Sequence, residues 1–289
     1  MKQNLVILRA GDQSLHPGWL EGAEERNWSL LISYYGDNPD YFCGDDIRRI
    51  DAKGLKWPVL YNLITELGTD LDQYEYIWFP DDDLACDKDS INRFFNLCHK
   101  YSLELAQPSL SLNSYATHLI TIRNRSFLLR FTTFVEIMAP CFSLSFLKRC
   151  HASFSESMSG HGLDYLWPAW ASDFMKIAII DAVIIRHTRP IGGPSYQVLA
   201  QHGVSATEER LALLQKYKIR AMDKLVTGGI DLEGRRLLIS DDGHPQLIAD
   251  LIFGYLPEMA HKAHHLVNLI RPSLDLLPPA VWTPKILED

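Results

Sequence analysis

Residues 74–84 read Tyr74-Glu75-Tyr76-Ile77-Trp78-Phe79-Pro80-Asp81-Asp82-Asp83-Leu84. This stretch is the clearest indication of the fold in the sequence. An aromatic and β-branched run without a polar residue after Glu75 predicts a buried strand that stops at three consecutive carboxylates. Adjacent carboxylates repel one another, so a divalent cation would stabilise them, and hard oxygen ligands favour Mg²⁺ or Mn²⁺. The alternative is a plain acidic turn, because Asp is common at turns.

The length and composition of the chain limit its class. Its 289 residues suffice for one sizeable α/β domain, alone or with an appendage. Hydrophobic residues make up 47% and charged residues 22%, as in ordinary soluble globular proteins. The net charge of -8 argues against non-specific binding of nucleic acid, because no basic excess is present to displace phosphate counterions. An acidic substrate would therefore need a local clamp or a metal.

Cysteine usage and hydropathy indicate the compartment. The five cysteines are scattered and include no Cys-x-x-Cys pair, so reduced thiols are expected. The first apolar run, Leu5 to Leu8, is too short for a signal peptide and predicts a first strand. No apolar run approaches the length of a membrane span, since even residues 177–185 include Asp181. We expect a cytoplasmic protein, with the inner face of a membrane as a peripheral alternative.

Strand and helix patterns alternate over the first two thirds of the chain. Strands are predicted at residues 5–8, 28–35, 76–79, 103–108, 134–143 and 176–185, and helices at 56–68 and 89–98. Residues 109–131 fit either a β-ribbon or a substrate-facing insertion. The order predicts a mostly parallel central sheet flanked by helices, with the loops at the carboxyl ends of its strands gathered on one edge.

The pattern changes after residue 204, which predicts a main domain at 1–204 and a mainly helical accessory region at 205–289. Thr227-Gly228-Gly229 is expected to break the chain before a small strand at 237–240 and a helix from 245. That helix is expected to pack on the main domain, with a membrane surface or a partner as the alternative. Its apolar residues are Leu247, Ile248, Leu251, Ile252 and Leu256. A solvated or partner-facing helix is expected at His261, His264 and His265, whose spacing would also allow zinc.

Several blocks occur in an order that resembles one known family. They are Lys56-Trp57, residues 76–84, Gln107-Pro108-Ser109, residues 135–143, Gly160-His161-Gly162-Leu163-Asp164 and Ile185-Arg186-His187. Plant members of that family are labelled "lysine-ketoglutarate reductase trans-splicing related", and its sequences look like glycosyltransferases of the GT-A fold. The resemblance covers residues 4–193. It implies a GT-A, Rossmann-like fold, a nucleotide-sugar donor such as a UDP- or GDP-sugar, and a glycan or other hydroxyl acceptor.

The resemblance also implies a metal site. The outer acids of the family's Asp-x-Asp pattern correspond to Asp81 and Asp83. Asp83 would bind Mn²⁺ or Mg²⁺, and Asp81 would contact the metal through water or hold the ribose hydroxyls. Asp82 is ambiguous and expected to be solvated. His187, at the end of an apolar strand, would be a further ligand, although a histidine packed at a strand end is the simpler alternative.

The resemblance implies an acceptor side and a donor side as well. Asp164 would be the general base of an inverting transfer, unless it only caps its own helix, and Glu136 is the reserve candidate. Glu136 lies in an apolar run, where an acid needs a partner or a substrate. Four residues are expected to contact the donor: Lys56 at a phosphate or base, Arg189 over the diphosphate, and Arg9 and Asp37 at the nucleoside. A solvated loop or turn is the alternative for Arg189, Arg9 and Asp37.

These features predict a metal-dependent, inverting glycosyltransferase, for instance in surface polysaccharide synthesis. The alternative is a module of the same fold that binds a nucleotide sugar without turnover. A metal-dependent phosphohydrolase would need a second acidic cluster, which the sequence does not show.

Overall fold

The computed structural model describes residues 3–22, 25–44, 47–190, 192–220, 224–240 and 244–259. Within these ranges the chain forms eleven strands. They are β1 (Asn4–Ala10), β2 (Trp28–Tyr34), β3 (Ile47–Asp51), β4 (Tyr76–Trp78), β5 (Leu84–Ala85), β6 (Leu105–Leu110), β7 (Phe127–Thr132), β8 (Cys141–Ser143), β9 (Ile177–His187), β10 (Val226–Asp231) and β11 (Arg236–Leu238).

The same ranges contain eight α-helices and four short 3-10 segments. The helices are α1 (His16–Trp19), α2 (Lys56–Leu67), α3 (Lys88–Tyr101), α4 (Leu144–Cys150), α5 (Leu163–Trp170), α6 (Pro194–Gln201), α7 (Ala206–Lys216) and α8 (His244–Met259). The 3-10 segments are Gly68–Gln73, Leu119–Thr121, His151–Glu156 and Phe174–Lys176. Helix α2 agrees with its prediction, including Gly68 as the C-cap with φ of 46°. Helix α3 begins one residue earlier than expected, because Asp87 caps it by accepting a hydrogen bond from the Ser90 amide at 2.7 Å.

One large sheet organises the molecule. The strand order is β11-β10-β7-β9-β6-β8-β4-β1-β2-β3, and β5 pairs with the end of β9. Strands β3, β2, β1 and β4 form a parallel block, and β6 is parallel to β9. Strand β8 runs antiparallel to both β4 and β6, and β7, β10 and β11 pair in antiparallel fashion at the other end. The predicted α/β fold, a large central sheet flanked by helices, is confirmed. The sheet is mixed and not mostly parallel as expected, because six of the ten strand pairings in the described ranges are antiparallel.

Apolar side chains cover both faces of this sheet. Trp57 of α2 and Trp167 of α5 belong to one buried cluster, and Phe94 of α3 and Tyr255 of α8 belong to the other. Trp57 is 1% exposed and is therefore a core residue. The two clusters leave the strand ends as the place where polar side chains can meet.

Helix α8 is held to the sheet by a buried polar network. Arg130 and Asp181 are both fully buried, with Arg130 Nε 2.7 Å from Asp181 Oδ2. Arg130 also donates to the Tyr255 hydroxyl of α8. Gly254 lies against Asn124, and a Cβ at position 254 would be 1.7 Å from Asn124 Oδ1. Close approach at Gly254 and the Arg130 contact therefore fix the helix.

The prediction that Thr227-Gly228-Gly229 breaks the chain is wrong. These residues lie inside β10, between β7 and β11. A Cβ at Gly228 would be 2.6 Å from the Leu237 carbonyl oxygen, and one at Gly229 would be 2.7 Å from the Phe127 ring. The glycines permit close strand packing here. Strands β10 and β11 thus extend the central sheet, while the division of the chain at residue 204 stays a prediction.

The apolar face of α8 packs as expected where the structure describes it. Leu247 and Leu251 are buried, Ile248 and Ile252 are partly buried, and Leu256 is 38% exposed. Among the described residues, no helix is both long and apolar enough to cross a membrane. A membrane or partner contact of the C-terminal region stays a prediction. His261, His264 and His265 lie outside the described residues.

Candidate active site at the carboxyl edge of the sheet

The loop that carries the three acids is held on two sides by backbone hydrogen bonds. The Asp81 amide donates to the Met138 carbonyl oxygen at 2.9 Å. The Asp83 carbonyl oxygen accepts from the amide of Thr188 at 3.1 Å and from its hydroxyl at 2.8 Å. Antiparallel pairing of β5 with the end of β9 places Leu84 opposite His187. The acids therefore meet the end of β9 at the carboxyl edge of the sheet.

Asp82 is a buried anchor, and the expectation that it is solvated is wrong. It is 6% exposed. Its Oδ2 accepts from the Gly11 amide at 2.8 Å and from the Tyr35 hydroxyl at 3.0 Å, and its Oδ1 accepts from Arg189 Nη1 at 3.1 Å. Burial raises the pKa of Asp82, and the Gly11 amide and the Arg189 charge oppose that rise. Asp82 thus ties the loop after β1 and the loop after β9 to the acid loop.

Asp83 and His187 form a partly buried pair. His187 Nε2 lies 3.2 Å from Asp83 Oδ2, and the two side chains are 13% and 14% exposed. His187 Nδ1 lies 2.6 Å from the Tyr115 carbonyl oxygen, which must accept its proton and which directs Nε2 towards Asp83. Burial lowers the pKa of His187, but hydrogen bonds to Asp83 and Tyr115 outweigh this and raise it to about 9.

One oxygen of this pair is unsatisfied. Asp83 Oδ1 is buried and has no hydrogen-bond partner within the described ranges. A buried carboxylate oxygen is costly to leave unpaired, so a ligand that brings positive charge would stabilise it. A histidine that binds a metal through one ring nitrogen usually donates the N–H of the other to a carbonyl oxygen, as Nδ1 of His187 does here.

Asp81 is paired with Lys56. Lys56 Nζ lies 2.6 Å from Asp81 Oδ1, and it donates to the carbonyl oxygens of Phe79 at 2.9 Å and Ile137 at 3.0 Å. These contacts occupy the three hydrogens of the ammonium group. Lys56 therefore positions Asp81, whose side chain is 39% exposed, and its predicted contact with a donor phosphate or base stays a prediction.

The structure corrects the role expected for Arg9. Its side chain is buried at 5% exposure and donates to Ser33 Oγ at 2.8 Å and to the carbonyl oxygens of Ala52 and Gly54 at 2.7 Å each. Burial lowers its pKa to about 10, so it remains charged at neutral pH. Arg9 ties β1 and β2 to residues 52–54, and its guanidinium is not available to a nucleoside.

Asp37 and Arg189 lie at the rim of the edge. Asp37 follows β2, is exposed, and pairs with Lys53 at 2.7 Å. Arg189 is half-exposed and, besides its contact with Asp82, donates to the Gln13 carbonyl oxygen. Arg189 is therefore held by the loop after β1, so closure over a diphosphate would require it to leave Asp82.

Glu136 lies in a buried loop. The expected strand at 134–143 is confirmed only at its end, because β7 ends at Thr132 and β8 begins at Cys141, which leaves residues 134–140 outside the strands. Glu136 is 8% exposed, and its Oε2 has no partner in the part of the chain that the structure describes. Burial, followed by the charge of Asp164, raises the pKa of Glu136 to about 7.

Asp164 lies in the first turn of α5, as the sequence predicts. It is 7% exposed and accepts a hydrogen bond from the Gly162 amide at 3.1 Å. Burial raises its pKa to about 6, while the charge of Lys224 opposes this rise. Besides burial, the charge of Asp164 raises the pKa of Glu136. The charges of His187 and Asp81 also act on Glu136, with His187 lowering its pKa and Asp81 raising it. The structure thus brings the predicted acceptor-side acids close to the predicted metal side.

Four residues that contribute to this edge are absent from the sequence prediction. Tyr115 orients His187, Thr188 holds Asp83, Tyr35 holds Asp82, and Lys224 faces Asp164. Thr188 adjoins His187, and that adjacency could have identified it. The other three come from distant loops without a motif, so the sequence offered no signal for them.

A model of the family described as "Protein of unknown function (DUF707)" matches residues 69–224, more than half of the chain. The chain belongs to the DUF707 family. The DUF707 segment contains Asp81, Asp83, Glu136, Asp164, His187 and Lys224, whereas Arg9, Asp37 and Lys56 precede it. The family description does not carry the trans-splicing label, which stays a prediction.

Solved structures similar to this DUF707 chain include two from bacteria. TarS of S. aureus is 7% identical with a TM-score of 0.43; the match covers 92% of this chain and 50% of TarS, so this chain spans about half the length of that protein. Glucosyl-3-phosphoglycerate synthase from Mycobacterium tuberculosis, solved with Mn²⁺, UDP-glucose and phosphoglyceric acid, is 12% identical with a TM-score of 0.44. That match covers 78% of this chain and 86% of the synthase. Among curated proteins, none matches this chain significantly.

Proposed function

We propose that the chain is a metal-dependent glycosyltransferase that moves a sugar from a nucleotide-sugar donor to a hydroxyl acceptor with inversion. The observation that carries this proposal is the Asp83–His187 pair, 3.2 Å apart, at the carboxyl edge of the sheet. Open α/β sheets bind ligands at that edge. The further predictions of a role in surface polysaccharide synthesis and of a cytoplasmic or membrane-peripheral location rest on the sequence alone.

The residues at the edge fit a divalent cation such as Mn²⁺ or Mg²⁺. Asp83 Oδ1 is buried and has no partner among the described residues, and His187 Nε2 lies beside the other oxygen, Oδ2. Asp81 lies two positions before Asp83. No three His, Cys, Asp or Glu side chains of the described ranges form a metal cage by themselves. This agrees with cations that are bound through one or two carboxylates and substrate phosphates. When bound, the metal would supply positive charge that stabilises the departing nucleoside diphosphate.

Asp164 is the proposed general base, with Glu136 as the reserve candidate. A carboxyl group with a pKa of about 6 is largely ionised at neutral pH and is a stronger proton acceptor than an ordinary Asp. It would accept the proton of the acceptor hydroxyl as the oxygen attacks the anomeric carbon and the bond from that carbon to the diphosphate breaks. Burial at 7% exposure keeps bulk water from the carboxylate, which favours the acceptor over hydrolysis.

The donor side is proposed to use the loops after β1, β2 and β9. Asp37 would contact the nucleoside of a UDP- or GDP-sugar, and Arg189 would exchange Asp82 for the diphosphate. Arg9 has no direct part, because its donors are used within the protein. Lys56 would act on the donor through its hold on Asp81.

The test is a thermal-shift screen of UDP- and GDP-sugars with and without Mn²⁺, followed by measurement of donor hydrolysis. A ligand that binds only the folded state raises the unfolding temperature. The stabilisation grows with the logarithm of the ratio between the ligand concentration and the dissociation constant. We expect Mn²⁺-dependent stabilisation by at least one nucleotide sugar and slow release of its sugar. Binding without any turnover would favour the alternative, a non-catalytic module that binds nucleotide sugars. If no donor binds, both the transferase and the binding module are contradicted.

A further inference from the structure

Lys224 is held in a defined place beside the candidate site. Its Nζ lies 2.9 Å from His118 Nδ1, 4.6 Å from the centroid of the Phe134 ring and 5.6 Å from that of Tyr165. Burial, together with the charge of Lys224, lowers the pKa of His118 to about 3, so Nδ1 is an acceptor at neutral pH. Two aromatic faces and one imidazole nitrogen therefore fix a charged ammonium group.

This position lies between the two segments that carry the acceptor-side acids. Phe134 is two residues before Glu136, and Tyr165 directly follows Asp164. The rings of Phe134 and Tyr165 are 6.1 Å apart, so the two segments touch at the point where Lys224 inserts. A lysine head group at this junction acts on both carboxylates.

The two carboxylates differ in what surrounds them. Asp164 Oδ1 accepts the Gly162 amide, whereas Glu136 Oε2 is buried and lacks a partner among the residues described. A carboxylate that accepts a backbone N–H is stabilised in its ionised form, and a buried oxygen without donors is stabilised when it carries the proton. The charged groups that face Asp164 are Lys224 and Arg210, and those that face Glu136 are Asp164, His187, Asp81 and Lys224.

We propose that Lys224 is a positioning residue for this pair of acids, fixed by His118 and two aromatic rings at the junction of their segments. Its ammonium charge favours the ionised form of Asp164, whose Oδ1 already accepts the Gly162 amide, while burial without a donor at Oε2 favours the neutral form of Glu136. The assignment of Asp164 as the proton acceptor rests on the proposed glycosyl transfer. The charge distribution between the three side chains does not depend on any substrate. Lys224 and the Gly162 amide together thereby favour Asp164 as the carboxyl group that accepts the proton of the acceptor hydroxyl.

The test is a titration of the Asp and Glu carboxyl carbons by NMR in the substrate-free protein, in the presence of a chelator. Asp164→Asn and Glu136→Gln assign the two signals. In Lys224→Met we expect the Asp164 midpoint to rise by about one pH unit, because an opposite charge near a carboxylate lowers its pKa by that order. Lys224→Arg should restore most of the shift. Lys148→Met, at an exposed lysine that pairs with Asp72, is the matched control and should leave both midpoints unchanged.

An unchanged Asp164 midpoint in folded Lys224→Met would overturn the proposal. If that variant does not fold, Lys224→Gln removes the charge but keeps a polar side chain, and an unchanged midpoint there would overturn the proposal equally. With an active donor and acceptor, the acidic limb of the rate profile should move upward with the NMR midpoint in Lys224→Met, whereas a purely structural defect would lower the rate equally at every pH. A shifted NMR midpoint in a protein that binds no nucleotide sugar supports the role of Lys224 and contradicts only the proposed function.

Discussion

His187 Nε2 lies 3.2 Å from Asp83 Oδ2. The main chain links the two residues as well, because Leu84, which follows Asp83, pairs with His187 in the β5–β9 ribbon. The Thr188 amide and hydroxyl donate to the Asp83 carbonyl oxygen, so the pair is fixed by main chain as well as by side chain. A strand end and the loop after another strand thus act as one unit. Protonated His187 supplies a positive charge beside Asp83, and it would have to release its Nε2 proton to bind a cation.

Asp83→Asn should abolish Mn²⁺-dependent binding of a nucleotide sugar while leaving the fold intact. The amide keeps the shape of the side chain but removes the charge that a hard cation needs. Binding is measured by calorimetry with and without Mn²⁺, and folding by circular dichroism. Asp72→Asn, at an exposed acid paired with Lys148, is the control and should bind normally. Equal Mn²⁺ dependence in Asp83→Asn would exclude Asp83 as a ligand, and full transfer activity in a strong chelator would exclude the metal.

Asp82→Ala should act on stability. It removes the acceptor for Gly11, Tyr35 and Arg189, and we expect a loss of about 1–3 kcal/mol in the free energy of unfolding, as for a buried hydrogen-bonded charge. Urea unfolding measures the change. Asp72→Asn, at an exposed acid paired with Lys148, is the comparison and should lose little stability. Unchanged stability of Asp82→Ala would show that the three hydrogen bonds do not anchor the loop.

His187→Gln should change the pH dependence of stability in chelator-treated protein. The folded pKa of about 9 lies above the ordinary value of 6.5, so the contribution of His187 is complete below pH 6.5 and is lost as the pH rises through 9. At pH 6 we expect the variant to be less stable than the wild type by about 2 kcal/mol, and at pH 10 the difference should vanish. Denaturant unfolding at both pH values measures this. His202→Gln, at an exposed histidine of the loop after α6, should give no such difference. A deficit that is equal at pH 6 and pH 10 would contradict the proposed charge of His187.

Glu136→Gln should stabilise the protein at alkaline pH while impairing the reaction. The folded pKa of about 7 lies above the ordinary 4.5, so the favourable contribution of the neutral acid is complete below pH 4.5 and lost as the pH rises through 7. At pH 9 we expect the variant to be more stable than the wild type by about 2 kcal/mol, with little difference at pH 4. Thermal unfolding at both pH values measures the effect, with Glu66→Gln on the exposed face of α2 as the control. A variant that is less stable than the wild type at pH 9 would show that Glu136 has a compensating partner.

Gly254→Ala should destabilise α8, although alanine favours helices by about 1 kcal/mol over glycine. The added Cβ would overlap Asn124 Oδ1, so the helix must shift away from the sheet. The free energy of unfolding is measured in the single variant and in the double variant with Asn124→Gly, which should recover part of the loss. Gly18→Ala in α1 is the control, since no described atom lies within 4 Å of the added carbon. A gain in stability at position 254 would mean that α8 adapts without cost.

The sequence predicts the site where chemistry follows a strong local pattern. The strand before Asp81, the helix after Lys56 and the position of Asp164 all follow from hydrophobic runs and capping signals, and the structure contains each of them. The family order adds His187, whose contact with Asp83 no local pattern could predict. Local periodicity is informative there because one face or one end of the element decides its environment.

The prediction fails where tertiary contacts override local preference. Glu136 lies in an apolar run that resembles a strand, yet Pro140 interrupts that run before β8. Trp78 Nε1 donates to the Ala139 carbonyl oxygen at 2.9 Å in the loop that precedes β8. Gly228 and Gly229 look like a chain break in the sequence, where paired glycines usually mark turns. The neighbouring strands that leave no space for a Cβ at these positions are seen only in the structure. Asp82 looks the same as its neighbours in the sequence, and only the Gly11 amide, the Tyr35 hydroxyl and Arg189 reveal that it points inward.

The pairing of β5 with the end of β9 lies off the main path of the sheet. His187 belongs to this small ribbon and Asp83 directly precedes it, whereas the earlier part of β9 is bound to β6 and β7. Local opening needs only the hydrogen bonds of the region that opens, so the amide protons of the ribbon should exchange with solvent sooner than those of the central strands. The two candidate ligands would then leave and return together, which makes the site a single cooperative unit whose order can be altered without unfolding the domain.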